Sequence, residues 1–359
     1  MGIPELIIEF KRKALDFRFR SEKGVMALIL KETTPASKAK TLTFTDFKEV
    51  KEDDFTADNY NFIKLAFIGN PTKVIVETVD DFNQAEMTKD LTQALKNLEL
   101  KIFSYLAIPE LPEEKGTDIE TWITTQRKAG KAFKAVLNGV TANNEKGLIN
   151  FASEGIQVGE KTYTGLQYTP RIAGILAGLP STQSCTYYVL EEVDAVTTIE
   201  DENAAVDAGK LILTNDGEKI KIVRGVTALT QVDDGELEDF KKIKILDTAD
   251  MIRNDIVKTW NDYYVGKVMN TYPNKCLFFA AVKGYLDELQ KQDILDPSKE
   301  NIMDIDMEEQ KKYISKKGID ISKLLEQEIK EYNTDSYVFA EAEIKIADAM
   351  EDLKLKFYM

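Results

Sequence analysis

The last residues of the sequence, 336–359, read SYVFAEAEIKIADAMEDLKLKFYM and contain two short amphipathic segments separated by a break. The first segment alternates apolar with charged side chains, and its apolar positions are Ala340, Ala342, Ile344 and Ile346. The second segment repeats the alternation with Leu353, Leu355 and Phe357. Because a period of two is typical of a half-buried β-strand, the sequence predicts two strands with an interruption near Asp348.

A matching pattern lies near the other end, where Leu6, Ile8 and Phe10 alternate with Glu5 and Glu9. The ten residues that follow carry a net charge of +4, and their basic members are Lys11, Arg12, Lys13, Arg18 and Arg20. The terminal strands either pair with each other within one subunit or are donated to sheets of neighbouring subunits, which would link the copies into a mesh. We further hypothesise that the basic segment contacts acidic surface on a neighbouring copy.

Composition restricts the class of protein. A chain of 359 residues is long enough for two or three domains, each with its own core. A net charge of −15 disfavours nucleic acid as a partner, because phosphate binding needs clustered basic side chains. No apolar run reaches the ~18–20 residues that span a bilayer, and residues 1–20 lack a secretory signal. We therefore expect no membrane insertion and a protein made and kept in the cytoplasm until it assembles.

The sequence contains few residue patterns that indicate catalysis, metal binding or cofactor binding. It contains no histidine, which excludes Ser-His-Asp and Cys-His catalysis and histidine metal ligation. Cys185 and Cys276 stand alone and are expected to be buried free thiols rather than a disulfide. The segment Asp304–Glu308 resembles the start of a calcium loop but lacks its glycine and its distal glutamate. No P-loop or dinucleotide fingerprint is present, so we expect no cofactor, no metal and no enzyme, although carboxylate, lysine or tyrosine chemistry stays formally possible.

The first two thirds of the chain alternate between strand and helix patterns. Residues 24–30, GVMALIL, are typical of a buried strand, and from Lys73 onward strands alternate with helices of about a dozen residues. This alternation predicts a mixed βα domain with a partly parallel sheet covered by helices. A helix is predicted at Tyr168–Leu179, with Pro170 in its first turn. Its glycines Gly174 and Gly178 allow a close neighbour, either within the subunit or in another one.

The remaining third is predicted to be mainly helical. Asp216-Gly217 between two apolar runs predicts a hairpin, and Ile243–Leu246 is predicted to be a strand. Helices follow at Thr248–Val268, Asn274–Gln292, Met307–Lys317 and Ile321–Tyr332. We expect an N-terminal strand arm at 1–20, a middle α/β domain at 21–238, an α+β inner domain at 239–347 and a C-terminal strand arm at 348–359.

The sequence resembles the phage tail sheath proteins over nearly its whole length. The resemblance is carried by residues 169–190 (TPRIAGILAGLPSTQSCTYYVL), 222–230 (IVRGVTALT) and 243–270 (IKILDTADMIRNDIVKTWNDYYVGKVMN). The ends, GIPELIIEFKRKA and YVFAEAEIKIADAMEDLKLKF, are also similar to the family's termini. The nearest type is the short sheath of defective-prophage and tailocin particles from Gram-positive bacteria.

This resemblance implies both a fold and a function. The middle domain would have a subtilisin-like topology without protease activity, and the subunits would form stacked six-subunit rings around a tail tube. Terminal arms would add strands to neighbouring sheets, and contraction would drive the tube through a target envelope. The implied partners are other copies of the chain, the tube protein, and baseplate and tail-terminator proteins, and the implied location is the bacterial cytoplasm and then the released particle.

The family also implies that the segment Ile321–Tyr332 faces the tube. Its apolar side would pack inward, and its tube-facing side chains would be Lys323, Glu326, Gln327, Lys330 and Glu331. The alternative is an ordinary solvated helix face. Two other functions remain open at this point: a polymerising shell protein that does not contract, and a hydrolase-like enzyme built on the α/β domain.

Overall fold

The computed structural model describes residues 24–83, 89–140, 144–232 and 237–359. These residues divide into two compact units, a larger one of residues 24–251 and 348–359 and a smaller one of residues 252–347. The predicted N-terminal positions lie outside the described residues, namely Leu6, Ile8, Phe10, Lys11, Arg12, Lys13, Arg18 and Arg20.

The larger unit alternates strands and helices, as the sequence predicts. Its strands are β1 (Val25–Lys31), β2 (Thr41–Phe44), β3 (Lys73–Val79), β4 (Tyr105–Ala107), β5 (Lys134–Leu137), β6 (Leu148–Phe151), β7 (Ile156–Val158), β8 (Lys161–Tyr163), β9 (Lys210–Leu211), β10 (Leu213–Asn215) and β11 (Ile220–Ile222). Its helices are α1 (Ala57–Ile68), α2 (Leu91–Glu99), α3 (Gly116–Lys128), α4 (Gly165–Gly178), α5 (Glu202–Asp207) and the first turns of α6 (Ile243–Tyr263). Short 3-10 turns lie at Phe47–Glu49, Glu52–Asp54, Glu113–Lys115 and Glu238–Lys241.

Seven of the described strands form one sheet in the order β2-β3-β1-β4-β5-β6-β9. Strand β2 runs antiparallel to β3, and the other neighbours are parallel. Strands β10 and β11 form the predicted hairpin, and β7 pairs with β8 in a second one. The prediction of a mixed α/β fold with a partly parallel sheet is therefore confirmed.

Strand β1 is apolar and buried from Val25 to Leu30 because helices cover both faces of the sheet. Met26, Leu28 and Leu30 point into a core that also contains residues of α1 and α4. Val25, Ala27 and Ile29 point to the opposite face, into a core shared with α2 and α3. The alternation of side chains along a strand thus supplies both hydrophobic layers from one short segment.

Helices α1 and α4 approach so closely that only glycine fits between them. A Cβ atom at Gly174 would lie 2.2 Å from the carbonyl oxygen of Ala66, and one at Gly178 would lie 1.9 Å from that of Gly69. The small residues of α4 therefore serve packing within the subunit, which was one of the two alternatives for this pair.

Helix α4 begins earlier than predicted because Thr164 caps it. The Thr164 hydroxyl accepts the backbone N–H of Gln167, and the Gln167 side chain accepts the N–H of Thr164. Pro170 consequently lies in the second turn, not in the first. Proline there removes a donor from the helix, and the Thr169 hydroxyl bonds to the carbonyl of Leu166 instead, at 2.7 Å.

The predicted strand at Ile243–Leu246 is wrong, since these residues form the first turn of α6. Two acids at helical spacing hold this part of α6 against the amino ends of β4 and β5. Asp247 accepts the hydroxyl of Tyr105 at 2.8 Å and lies 3.1 Å from the ammonium of Lys134. Asp250 lies 3.0 Å from the same ammonium.

The guanidinium of Arg127 completes this cluster, with two bonds to Asp250 at 3.0 and 3.1 Å. Burial alone would raise the pKa of Asp250, but the charges of Lys134 and Arg127 outweigh it and lower that pKa. Burial and the neighbouring Asp247 raise the pKa of Tyr105. Because a buried charge is tolerated only when it is paired, these contacts assign the start of α6 to the larger unit.

The smaller unit contains the rest of α6 and five further elements, α7 (Tyr272–Lys291), β12 (Ile302–Asp304), α8 (Met307–Lys316), α9 (Glu326–Glu331) and β13 (Glu341–Glu343), with a 3-10 turn at Ile321–Lys323. The prediction of two buried thiols is half wrong, because Cys185 is buried whereas Cys276 lies on the exposed side of α7; both are free. Within the described ranges, the helices are all too short or too polar to cross a bilayer.

The contact between α1 and α4 gives a direct test of this packing. Replacing Gly174→Ala forces a methyl group against the α1 backbone and should lower the free energy of unfolding by about 1–3 kcal/mol, the usual range for overpacking. Gly284→Ala in α7 is the matched control, because its Cβ would meet no atom within 4 Å. That variant should instead gain about 0.5–1 kcal/mol. Thermal and denaturant unfolding measure both changes, and equal effects of the two substitutions would contradict the close approach.

Candidate functional site

A small sheet in the smaller unit is formed by the first of the two predicted terminal strands. Strand β13 pairs antiparallel with β12, and Met303 lies opposite Ala342. The pairing continues beyond the strands as single contacts: Leu295 bridges Ile346, and the Asp296 N–H donates to the Lys345 carbonyl at 2.8 Å. The prediction of an extended segment at these positions is confirmed.

The burial of this segment differs from the prediction. Ile344 and Ile346 are half-buried, as the alternation requires, but Ala340 and Ala342 are exposed like their charged neighbours. Among the described residues, the sheet has only two strands, so each of them has an outer edge without a strand partner. Such edges offer backbone N–H and C=O groups to an added strand.

Beyond this sheet, residues 348–352 bind to the larger unit; we call them the tail root. Three acids of the root each find a partner there. Asp348 forms an ion pair with Lys242, and Asp352 accepts Arg224 Nη2 at 2.6 Å. Glu351 is the most buried of the three.

The carboxylate of Glu351 is held by a pair of hydroxyls. Its Oε1 accepts bonds from Ser184 Oγ at 2.8 Å and Thr186 Oγ1 at 2.7 Å. The Thr186 hydroxyl accepts in turn the backbone N–H of Gly225 at 3.0 Å, which fixes its orientation. The Glu351 side chain is only 8% exposed, and Arg224 Nε approaches its other oxygen to 3.9 Å. Loop 182–188 and the residues shortly after β11, Arg224 and Gly225, thus form the binding site for the tail root.

Electrostatics reinforce this docking at neutral pH. The hydrogen bond from Arg224 lowers the pKa of Asp352, and the same contact raises the pKa of Arg224. Asp348 likewise raises the pKa of Lys242. A lowered carboxyl pKa stabilises the docked state above the ordinary pKa of the group, and that contribution is lost only as the pH falls through the lowered value. The root should therefore stay docked across the physiological range.

Residues 353–359, which we call the tail tip, make no strand in the described chain. Leu353, Leu355 and Phe357 are 86%, 63% and 83% exposed. Exposed apolar side chains at alternating positions are available for contact with another protein segment. The tail is thus anchored at its root and uncovered at its tip.

The predicted single helix at Ile321–Tyr332 is wrong. Leu324 and Leu325 have extended backbone and separate a 3-10 turn from the six-residue helix α9. Helix α9 begins at Glu326 because the Glu328 carboxylate accepts the Leu325 N–H at 2.8 Å. Periodicity of the apolar residues does not reveal this interruption.

The five side chains predicted on one face of that helix now fall into two groups. Lys323, Glu326, Gln327 and Glu331 are exposed. Lys330 is half-buried and donates to Asp304 Oδ2 at 2.8 Å, so it ties α9 to β12. This bond also occupies the first acid of the calcium-like segment, and its second acid, Asp306, caps α8 by accepting the Glu309 N–H.

The carboxyl edge of the large sheet is the usual place for a ligand in an α/β fold. Here the buried carboxylate at that edge, Glu32, accepts the N–H groups of Thr33 and Thr34 at 2.8 Å and the side-chain amide of Asn59 at 2.9 Å. Burial would raise the pKa of Glu32, but these bonds outweigh it and lower that pKa. Its oxygens are therefore used to fix loops. Within the part of the chain that the structure describes, cysteines and acids form no metal-binding cluster.

Comparison with known sequences identifies the relatives of this chain. The family model for the phage tail sheath C-terminal domain matches residues 236–359. The tail sheath protein of Clostridium phage phiCD119 is 39% identical over 373 aligned positions, which cover 100% of this chain and 99% of the relative.

Solved structures share the fold at lower identity. The helical sheath of the anti-feeding prophage in its contracted state superimposes with a TM-score of 0.71 at 14% identity, covering 100% of this chain and 99% of that one. The sheath tail protein from Desulfitobacterium hafniense gives a TM-score of 0.67 at 16% identity, covering 84% and 94%. The sheath of an extracellular contractile injection system, also contracted, gives 0.66 at 13% identity, covering 100% and 98%.

The geometry of the tail root predicts which contact holds it. Glu351→Ala removes two bonds to a buried carboxylate, each worth about 1.5–3 kcal/mol. We expect amide hydrogen exchange across residues 348–352 to accelerate at least tenfold. Lys242→Met is the matched control, since an exposed ion pair is worth only about 0–1 kcal/mol. Exchange measured by mass spectrometry tests this, and equal acceleration in both variants would show that Glu351 is not the anchor.

Proposed function

The chain belongs to the phage tail sheath family, and from this premise we propose that it is the subunit of a contractile sheath that polymerises around a tail tube. The observation that carries the proposal is the presence of a donor and an acceptor in one chain. The tail tip is an exposed apolar alternation, and among the described residues the β12–β13 sheet has outer edges without a strand partner. The tail tip of one copy could thus add a strand to the β12–β13 sheet of another copy.

The donor and the acceptor are different surfaces, which determines the kind of polymer. A contact between unlike surfaces is heterologous, and unless two copies exchange it reciprocally it generates rings or open helical assemblies. We propose stacked rings of six subunits linked by their arms, and the number six rests on the family resemblance alone. The tail tip, with Leu353, Leu355 and Phe357, is the proposed C-terminal arm.

Other segments complete the proposed arms and domains. Ile344 and Ile346 are half-buried along the chain's own segment 294–304, so we assign them to the base of the arm. The segment 1–20 is the proposed N-terminal arm, with residues 21–238 as the middle domain and 239–347 as the inner one. The parallel order of β3, β1, β4, β5 and β6 supports a subtilisin-like topology for the middle domain.

The proposed contraction needs no bound nucleotide. An extended sheath would be metastable, and repacking of rigid subunits would create larger contacts in the contracted state. Solved relatives include a contracted sheath and a baseplate of the anti-feeding prophage. By extension we propose that this chain contacts tube, baseplate and tail-terminator proteins, that it assembles in the bacterial cytoplasm, and that it acts as a structural protein rather than an enzyme.

The exposed part of the segment 320–331 is the proposed contact with the tube. This surface consists of Lys323, Glu326, Gln327 and Glu331. The neighbouring Lys330 forms an ion pair with Asp304 and so holds α9 against β12. A sheath must hold its tube and later release it. Polar contacts suit this task, because they exchange with water at little cost in free energy.

Removal of the tail tip tests the assembly role. Deleting Leu353–Met359 removes side chains that are exposed in the single chain, so the truncated protein should remain folded, with an unchanged unfolding temperature. Electron microscopy should show no tubular polymers of the truncated sheath protein, and in sedimentation the protein should remain a small species. Met350→Ala, which alters an exposed residue of the root without shortening the tip, is the control and should assemble normally. Unfolding of the truncated chain, or normal tubes from it, would contradict the proposal.

Charge reversal tests the tube contact separately. Lys323→Glu leaves the Lys330–Asp304 bond intact and should reduce extended sheath assembled around tube, while empty tubes of sheath protein still form. Lys312→Glu on α8 is the control, because Lys312 is also an exposed lysine paired with an acid of its own helix. Particle counts by electron microscopy distinguish the two. A normal yield of extended particles with Lys323→Glu would exclude this surface.

A further inference from the structure

The smaller unit contains a cavity of the size that binds small molecules in proteins. It has a volume of about 440 Å³ and lies between the end of α6, the start of α7 and the segment 335–338. Small-molecule sites typically have volumes of roughly 300–1,000 Å³, an apolar lining and a few polar groups that orient the ligand. The chemistry of the lining therefore decides which kind of molecule this cavity fits.

Aromatic rings form one wall of the cavity. The rings of Trp260 and Tyr264 stack with centroids 5.7 Å apart, and Phe278 meets both edge-on, with centroid distances of 5.0 and 4.8 Å. Rings that pack against each other in this way hold one another in place, so the wall is preformed. Met269, at the rim, is 70% exposed. The wall offers contact area to the apolar body of a ligand and favours an aromatic one.

A buried ammonium group also lines the cavity. Lys275 is only 4% exposed, and its Nζ donates to Thr334 Oγ1 at 2.8 Å. Burial lowers the pKa of Lys275, and among the described residues no neighbouring charge opposes this effect. Asp335 also lines the cavity, but its carboxylate binds Tyr313 and Lys317 at 2.6 and 3.0 Å. Because a buried charge is tolerated best when it is paired, an anionic group beside Lys275 would stabilise its charged form.

An amide beside the lysine has an unused acceptor. The Asn270 side chain donates to the carbonyls of Asp335 and Tyr337, both at 2.8 Å. Its oxygen Oδ1 is buried and has no hydrogen-bond partner in the described chain, although buried polar atoms are nearly always bonded in native proteins. The Asn270 amide nitrogen also lies 3.4 Å from the Thr334 hydroxyl that accepts the Lys275 ammonium. The amide and the ammonium are therefore within reach of one small molecule.

We propose that this cavity is a binding site for a small monocarboxylate with an aromatic body and one uncharged N–H or O–H donor. The carboxylate of the ligand accepts from the Lys275 ammonium, its donor bonds to Asn270 Oδ1, and its ring packs against the aromatic wall. The inference concerns the single chain and does not rest on the proposed assembly.

Charge selects among candidate ligands. A free amino acid would bring its own ammonium group toward Lys275, and like charges in a desolvated contact are strongly unfavourable. A phosphate ester or a dicarboxylate would bring a second negative charge, and Lys275 is the one cation among the described residues that line the cavity. A buried charge without a partner is costly. The site therefore favours a ligand with a single negative charge and a neutral donor.

Fluorine NMR of the full chain tests the proposal, because the sequence contains only two tryptophans, Trp122 and Trp260. Both are replaced biosynthetically by fluorotryptophan, and N-acetyl-L-phenylalanine is the probe. We expect a saturable shift of the Trp260 resonance at millimolar probe, while the resonance of Trp122, which lies on α3, stays in place. No shift at Trp260, or equal shifts of both resonances, would overturn the proposal.

Matched probes test the two polar contacts in the unaltered protein. N-acetyl-L-phenylalaninamide keeps the ring and the N–H but has no charge, and it should bind at least tenfold more weakly, as expected for the loss of one charge-assisted hydrogen bond. Hydrocinnamate keeps the ring and the carboxylate but lacks the N–H, and it should bind severalfold more weakly because Asn270 Oδ1 stays unpaired. Equal affinities of the three compounds would overturn the assignment.

Charge variants test the role of Lys275 directly. Lys275→Met should lower the affinity for N-acetyl-L-phenylalanine at least tenfold, since it removes the cation that binds the carboxylate. Lys291→Met, at an exposed lysine of the same helix, is the control and should bind the probe normally. Should Lys275→Met fail to fold, the comparison of the acid with its amide still decides, because both are measured on the unaltered chain.

A competing occupant, a segment of another copy, is detected in the assembled protein. Tubes recovered by sedimentation should take up about one radiolabelled probe molecule per subunit, as the unassembled chain does. Uptake by the unassembled chain but not by tubes would assign the cavity to a segment of another copy and would overturn the proposal.

Discussion

The buried ammonium of Lys134 is the constraint on which the larger unit depends. It is tolerated only because α6 brings Asp247 and Asp250 within 3.1 and 3.0 Å of it. This requirement fixes the first turns of α6 at the amino edge of the sheet. Lys242, which precedes α6 directly, is one of the groups that receive the tail root. The network that satisfies one buried charge therefore also positions part of the surface from which the arm departs.

Much of the fold follows from periodicity, and the errors have physical causes. The sequence predicts the buried strand β1 and the helix α7 close to their true bounds, because each has a long or unbroken apolar pattern. The segment Ile243–Leu246 begins with the alternation of a strand, but four residues cannot distinguish a strand from a helical turn. Lys244 is also buried like its apolar neighbours, so the polar position of the pattern does not mark an exposed face. The break at Leu324 and Leu325 depends on a local cap at Glu328, which the apolar pattern does not contain.

The candidate site was only partly accessible from the sequence. The apolar alternation of the tail tip is visible there, but a strand is defined by its pairing, and the tip pairs with no strand among the residues that the structure describes. The bond between Ser184 and Glu351 joins residues 167 positions apart. No local pattern near Glu351 marks it as buried, since it lies among acids that resemble ordinary surface. Contacts of this range are produced by the fold and are not encoded in any short motif.

An anchored root and an uncovered tip have an energetic consequence for assembly. Ordering the seven residues of the tip costs about 7–14 kcal/mol of backbone entropy. Burial of Leu353, Leu355 and Phe357 returns about 5–9 kcal/mol, and a short ladder of hydrogen bonds adds about 1 kcal/mol for each bond. The free energy of binding one arm is therefore close to zero. It would be unfavourable if the root also had to be ordered. Because a single arm barely stabilises a pair of copies, assembly requires further contacts made at the same time, and the proposed contact with a tail tube would supply them.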